Sequence, residues 1–324
     1  MKHLTMKKIA ALGLCAAMSL SLLTSCGGRS VETPAPEQSA APAESAVAAT
    51  LDPIIEEKPY SEMTIDELKP LLQTVTAGKL TMVTSPDFAP SEFYAIDEAG
   101  NPTLAGHDIA LGYFIADYLG LELEIVPIDF NGVLMELQTK SADMAIAGLA
   151  NDPKRESIMD FSTPYSGDGQ SFVCLQSNKD QFPDIESTNK AEYDIGAQLG
   201  SIQLQLAEIY SPESNIVQLA KVTDIVAELV AGKLDAAYIS TTTAENYAKQ
   251  YPELCVLLDV ENPTSDSTCV GVVKDNPVLL AAINLAVTEA VESGKMEQFK
   301  AEAKALAEGE TASLVDGQIV KDEK

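Results

Sequence analysis

From residue 79 onward the chain alternates between short apolar runs and amphipathic stretches. Residues 79–84 (KLTMVT) form a β-rich run. Over 107–119 apolar residues recur at helical spacing, with Ile109, Tyr113, Ile115, Ala116 and Leu119 on one stripe. Residues 121–127 (LELEIVP) alternate with period two, as a strand does. A short helix over 132–139 turns Val133, Leu134 and Leu137 inward, and 142–147 (ADMAIA) reads as a buried strand. This β-α-β-α-β order predicts a parallel sheet with right-handed crossovers.

The pattern then restarts. Strands are expected at 170–175, 193–197, 216–219, 236–239 and 255–258, with helices at 202–209, 222–231 and 242–250. A last strand at 269–273 precedes helices at 277–293 and 295–307. Ahead of everything, 61–77 reads as a helix capped by Ser61 or Thr64, with Leu68, Leu71, Leu72 and Val75 on one face. Two successive α/β units imply a cleft between them, beyond the carboxyl ends of the strands.

The N-terminus differs in kind. Lys2, Lys7 and Lys8 precede an uncharged apolar run from Ile9 to Leu23, a secretory signal too short for a comfortable membrane span. It ends in Leu23, Thr24, Ser25, Cys26 and Gly27, which resembles the bacterial lipobox; the resemblance makes Cys26 the lipidated first residue after cleavage. Residues 29–58 are rich in Ala, Pro, Ser and Glu and read as a solvated tether. The expected location is therefore extracytoplasmic, with the lipid anchor as the only membrane attachment.

Charge narrows the partners. Against 21 Lys and Arg stand 49 Asp and Glu, a net −28, which becomes −31 once the three signal lysines are removed. Such an excess argues against nucleic acid and against adsorption to anionic lipid, since both need clustered cations. Hydrophobic residues at 46% exclude a wholly disordered chain. Cys174, Cys255 and Cys269 lie in apolar strand-like settings, which leaves open one disulfide with a spare thiol or three free thiols. With only His3, in the signal, and His107, a His-based metal site or a Ser-His-Asp triad has just one candidate histidine, and neither is expected. No Gly-rich phosphate loop, zinc spacing or Gly-x-Ser-x-Gly elbow occurs, so no cofactor and no metal is expected.

Six segments occur in a telling order: LTMVTSPDFAPSEF (80–93), LAGHDIA (104–110), DFNGVLMELQ (129–138) running into SADMAIAG (141–148), NDPKRESIMDFSTPY (151–165), IGAQLGS (195–201) and GKLDAAY (232–238). Together they resemble the polar-amino-acid (family 3) solute-binding proteins of ABC transporters. The resemblance implies an α/β, type II periplasmic binding-protein fold: a two-lobed Venus-flytrap, each lobe a mostly parallel sheet flanked by helices. It implies lobe 1 at 79–169 and 263–307, lobe 2 at 170–262, a hinge in the crossovers near 168–171 and 262–267, and a polar tail at 308–324. The expected function is capture of an amino acid or related small carboxylate by a monomer, and its delivery to an ABC permease.

Site residues follow from the same match. Arg155, in the loop beyond a strand end, suits bidentate binding of a carboxylate; the bland reading pairs it with Asp152, Glu156 or Asp160. Gly200 and Ser201 open a helix after a strand, where N–H groups and the helix dipole favour an anion, although an ordinary Ser cap has the same sequence. Gln198 and Gln203 flank that turn. The resemblance sets Phe88 and Phe130 against the ligand, Ser85 near its side chain, and Gly148 and Ser240 at the site. His107 stands where the family has a buried Phe and is expected to be structural.

Two departures from the family pattern stand out. Ser240 replaces the Asp that binds the ligand's α-ammonium, and Ala150 replaces a hydroxyl residue that assists the carboxylate. Either Asp87 or Glu92 compensates, or the ligand has no α-ammonium. Two other functions share the fold class. One is an enzyme of the cyclohexadienyl dehydratase type, for which Glu92 is the obvious general acid or base, though its sequence neighbours give no sign of a raised pKa. The other is a sensory or adhesive surface lipoprotein.

Overall fold

The structure, a computed structural model, describes residues 58–309, 311–315 and 318–321. The signal segment, Cys26 and the tether up to residue 57 lie outside the described residues.

The entry segment is not one helix. A 3-10 turn (Tyr60–Glu62) leads to α1 (Ile65–Leu68) and a second 3-10 turn (Lys69–Leu71). Pro70 lacks an N–H, and its ring opposes the carbonyl one turn earlier, so the helix capped by Thr64 and Glu67 stops there. Leu71 and Val75, expected on the inner face, are exposed.

Lobe 1 begins with β1 (Lys79–Thr84), β2 (Phe93–Ile96), β3 (Pro102–Ala105), α2 (His107–Leu119), β4 (Glu122–Pro127), α3 (Phe130–Gln138), β5 (Met144–Ala145) and β6 (Met159–Gly167). Lobe 2 comprises β7 (Gln170–Leu175), β8 (Asp194–Gln198), α4 (Ile202–Tyr210), β9 (Asn215–Leu219), α5 (Val222–Val230), β10 (Ala236–Ser240), α6 (Thr241–Gln250) and β11 (Leu254–Val260). The chain then returns to lobe 1 with β12 (Ser267–Val273), α7 (Pro277–Glu292) and α8 (Lys295–Ala307), and ends in β13 (Thr311–Val315) and β14 (Gln318–Lys321).

Lobe 1 is built on a sheet of order β4-β1-β5-β12-β6, in which β4, β1 and β5 are parallel and β12 runs antiparallel to both neighbours. Lobe 2 is built on β11-β7-β10-β8-β9, with β10, β8 and β9 parallel. Helices α2, α3 and α7 bury apolar faces on the first sheet. α4 packs on one face of the second sheet and α5 on the other. Ile109, Ile115, Ala116 and Leu119 of the expected α2 stripe are buried, whereas Tyr113 is 59% exposed and Gly112 lies over Met82, where a Cβ would meet the Met82 sulfur. Two crossovers join the lobes side by side, with Gly167 opposite Ser267 and the Asp168 N–H on the Asp266 carbonyl at 3.0 Å.

The C-terminal stretch is more ordered than a polar tail. β13 pairs with β2, placing Thr311 opposite Ala95 and Ala312 opposite Tyr94, in a sheet of order β14-β13-β2-β3. Ala312 and Ala307 are buried there, so the stretch has an apolar reason to pair. In lobe 2, Cys174 on β7 and Cys255 on β11 are cross-strand partners, and they and Cys269 are free thiols.

Candidate ligand site between the lobes

The carboxyl ends of β1, β5, β8 and β10 meet where the lobes touch, and a cavity of about 290 Å³ lies among them. Of the nine ligand-site candidates, Ser85, Phe88, Phe130, Gly148, Arg155, Gln198, Gln203 and Ser240 line this cavity. Ser201 does not: it caps α4, its hydroxyl accepting from the Leu204 N–H at 3.1 Å and donating to the Gln198 carbonyl at 2.7 Å. Its neighbour Ile202 takes the place at the wall.

Arg155 ends a 3-10 turn after β5 and is 5% exposed. Its guanidinium donates to the Ala150 carbonyl at 3.4 Å and, across the cleft, to the Gly200 carbonyl at 3.1 Å. It lies over the Phe130 ring at 5.5 Å. Burial lowers its pKa to about 10, so it remains charged at neutral pH. No direct ion pair with Asp152, Glu156 or Asp160 forms, although the Asp152 charge is near enough to favour the cation. Asp160 is taken by Lys274 at 2.6 Å, and Asp152 accepts from the Lys154 N–H at 3.0 Å and from Gln205 at 2.8 Å. Among the described residues no carboxylate forms an ion pair with Arg155. A buried guanidinium held only by carbonyls keeps donors for an incoming anion.

The opposite charge gathers beside α2. Glu92 is fully buried at the cavity wall, and neither carboxyl oxygen has a hydrogen-bond donor. Burial, then the nearby Asp108 and Asp87 carboxylates, push its pKa well above the ordinary range. The sequence neighbourhood gave no sign of this, because Asp108 arrives through the fold. Asp108 itself is well held, accepting from the Tyr165 hydroxyl at 2.8 Å and the Gly148 N–H at 2.9 Å. His107 is buried beside it, with Nε2 3.5 Å from Asp108 Oδ1, and burial lowers its pKa. Gly148 has φ +56°, and a Cβ there would sit 3.3 Å from the Phe88 ring, so glycine lets the Phe88 ring lie against the chain.

Further wall residues were not anticipated. Gln170, which opens β7, accepts from Gln203 at 2.8 Å. Asp168 accepts from the Thr242 N–H at 3.1 Å and the Thr242 hydroxyl at 2.9 Å, and burial raises its pKa. Lys300 and Lys304, one turn apart on α8, reach the same cavity; that spacing is a legible signal once α8 is placed. The Ser240 hydroxyl is buried beside Asp168. Among the described residues no group of three His, Cys, Asp or Glu could hold a metal.

Residues 80–303 match the bacterial extracellular solute-binding proteins, family 3. The chain belongs to that family. It is 28% identical over 225 residues to an arginine-binding extracellular protein (ArtP) of Bacillus subtilis, covering 68% of this chain and 84% of that one. It is 24% identical over 181 residues to a cyclohexadienyl dehydratase of Pseudomonas aeruginosa, covering 56% of this chain and 66% of that one. Among solved structures, an amino acid ABC transporter substrate-binding protein (AbpA) from Streptococcus pneumoniae, bound to L-arginine, superposes with TM-score 0.67. Identity there is 31%, over 71% of this chain and 96% of that one. The family 3 solute-binding protein thus has the two-lobed type II fold and the amino-acid-binding relatives that the six segments led one to expect.

Proposed function

We propose that this protein captures a cationic amino acid, arginine or a close analogue, between its lobes and delivers it to an ABC permease while held to the membrane through lipid on Cys26. The carrying observation is Glu92: two buried oxygens without a donor, on the wall of a cavity whose other wall presents Arg155. A solute with a carboxylate at Arg155 and a guanidinium or ammonium at Glu92 satisfies both, and aligned charge partners in a dry site recover what burial costs. Phe88 and Phe130 supply ring faces for the aliphatic stem and the planar head. The arginine-binding names among the relatives point the same way. Binding is a population shift: a ligand touching both lobes favours the closed arrangement by its differential affinity.

Thermal unfolding against a panel of α-amino acids tests this. Arginine is expected to raise the melting temperature most, and no response to any cationic member overturns the reading. Replacing Cys26 with Ala is expected to release the protein from the membrane fraction.

One observation favours a second reading. A neutral, buried Glu92 carboxyl is a competent general acid, and one relative is a dehydratase. Incubation with prephenate or arogenate and analysis for the aromatic product decides it; product formation that is lost in Glu92→Gln would establish the enzyme.

A further inference from the structure

The ammonium of an α-amino acid needs an anionic partner; at the end of β10 stand the neutral Ser240 hydroxyl and the Asp168 carboxylate, which already accepts from the Thr242 N–H and hydroxyl. A further carboxylate stands one residue back from the cavity, behind Phe88. Asp87, in the loop after β1 of lobe 1, is 7% exposed and reaches into lobe 2. Its Oδ2 accepts from Gln198 Nε2 at 3.0 Å and from the Val222 N–H, the first of α5, at 2.6 Å. The helix start favours negative charge at that oxygen.

These contacts settle which way the Gln198 amide points. Its NH2 group donates both to Asp87 and to the Ala220 carbonyl, the latter at 3.2 Å. The Ala220 carbonyl is an acceptor only, and so is Asp87 when ionised, so turning the amide over would then set oxygen against oxygen twice. Oε1 is what remains for the cavity, which Gln198 lines. β8 and β10 are parallel neighbours, with Ala237 opposite Gly196, so their ends bring Gln198 and Ser240 together. Gly200, two residues beyond Gln198, holds Arg155. A carboxylate on Arg155 therefore puts the adjacent ammonium beside Gln198 and Ser240.

We propose that Asp87 is a positioning residue for ligand recognition: it orients and polarises the Gln198 amide so that Oε1 accepts the ligand's α-ammonium, and it does so only while the lobes are together. The Asp87 carboxylate acts through one amide rather than directly. This rests on the amino-acid reading above and names the groups that read the α-amino end.

Calorimetric titration of the purified chain at pH 8, where Asp87 is ionised, with L-arginine and with 5-guanidinopentanoate, which lacks only the amino group, tests it. Asp87→Asn keeps an acceptor for Gln198 and Val222 and removes the charge. It is expected to weaken arginine by about tenfold or more, as loss of a charge-assisted bond does, and to leave 5-guanidinopentanoate within about threefold. Gln198→Met is expected to erase the same discrimination, and adding Asp87→Asn to it should cost nothing further for arginine. The inference is overturned if Asp87→Asn weakens both ligands equally, or if its effect persists undiminished beside Gln198→Met. If Asp87→Asn does not fold, Gln198→Met decides: unchanged discrimination overturns the inference. A wild-type chain that binds no arginine overturns the amino-acid reading and this inference with it. Arginine binding with discrimination untouched by either variant overturns this inference alone.

Discussion

On the wall formed by α3 and the start of α4, the buried guanidinium of Arg155 rests on two backbone carbonyls; on the wall beside α2, the buried carboxyl of Glu92 has no donor at all. Both are ionisable groups taken out of water, and their responses are opposite. Carbonyl dipoles and the Phe130 face stabilise a cation without neutralising it, so Arg155 stays charged and ready. Glu92 faces burial and two neighbouring acids, and all of them favour its neutral form. One wall keeps its charge when buried, and the other is pushed towards its neutral form.

Removing the charged wall has the largest expected effect. Arg155→Met should weaken every carboxylate-bearing ligand by about a hundredfold or more, the usual scale for truncating one partner of a buried charge pair, as read by calorimetry. Glu92→Gln comes next. It should weaken arginine by about ten- to a hundredfold while changing the neutral citrulline far less, because only the charge-dependent contact is lost. Equal losses for the two ligands would place Glu92 away from the ligand's side chain.

The acidic side also sets a pH dependence of the unliganded protein. Burial raises the Asp87 pKa from 3.8 to about 7. Folding thus takes up a proton between those values; stability is highest below the lower one and falls as pH rises through the upper one. At about 1.4 kcal/mol per unit, a drop of several degrees in melting temperature is expected between pH 5 and pH 8. Asp87→Asn should flatten part of that slope, with Glu92 supplying more of it in the same direction. The smallest effect is expected from Tyr165→Phe. It takes one donor from Asp108 and should lower stability by about 1 kcal/mol in denaturant unfolding, leaving arginine affinity nearly unchanged.

Local pattern located much of the fold. α2, α8, β1 and β7 begin and end where periodicity puts them. What it missed depends on partners distant in sequence. β6 contains Pro164, which reads against a strand but is tolerated because β6 lies at the sheet edge. β2 and β3 are short and joined by a turn in which Asp97 accepts from the Ala99 and Asn101 N–H groups. β13 exists because Ala95 and Tyr94 are there to pair with it. At the site, strand-end loops were legible because they recur as segments in chain order. The raised pKa of Glu92 and the bond from Gln198 to Asp87, 111 positions apart, were not, since only the closed fold brings those groups together.

The position of β12 has a consequence for how the chain is made. Lobe 2 is continuous, so its sheet has every strand once residue 260 has been synthesised. The sheet of lobe 1 does not. β12 lies between β5 and β6, and until residues 267–273 arrive those two strands face an empty slot with unpaired N–H and carbonyl groups. The lobe that starts first therefore finishes last. A chain cut between Val260 and Ser267 would contain a complete second lobe and a first lobe split down its middle, with two open strand edges for other chains to join.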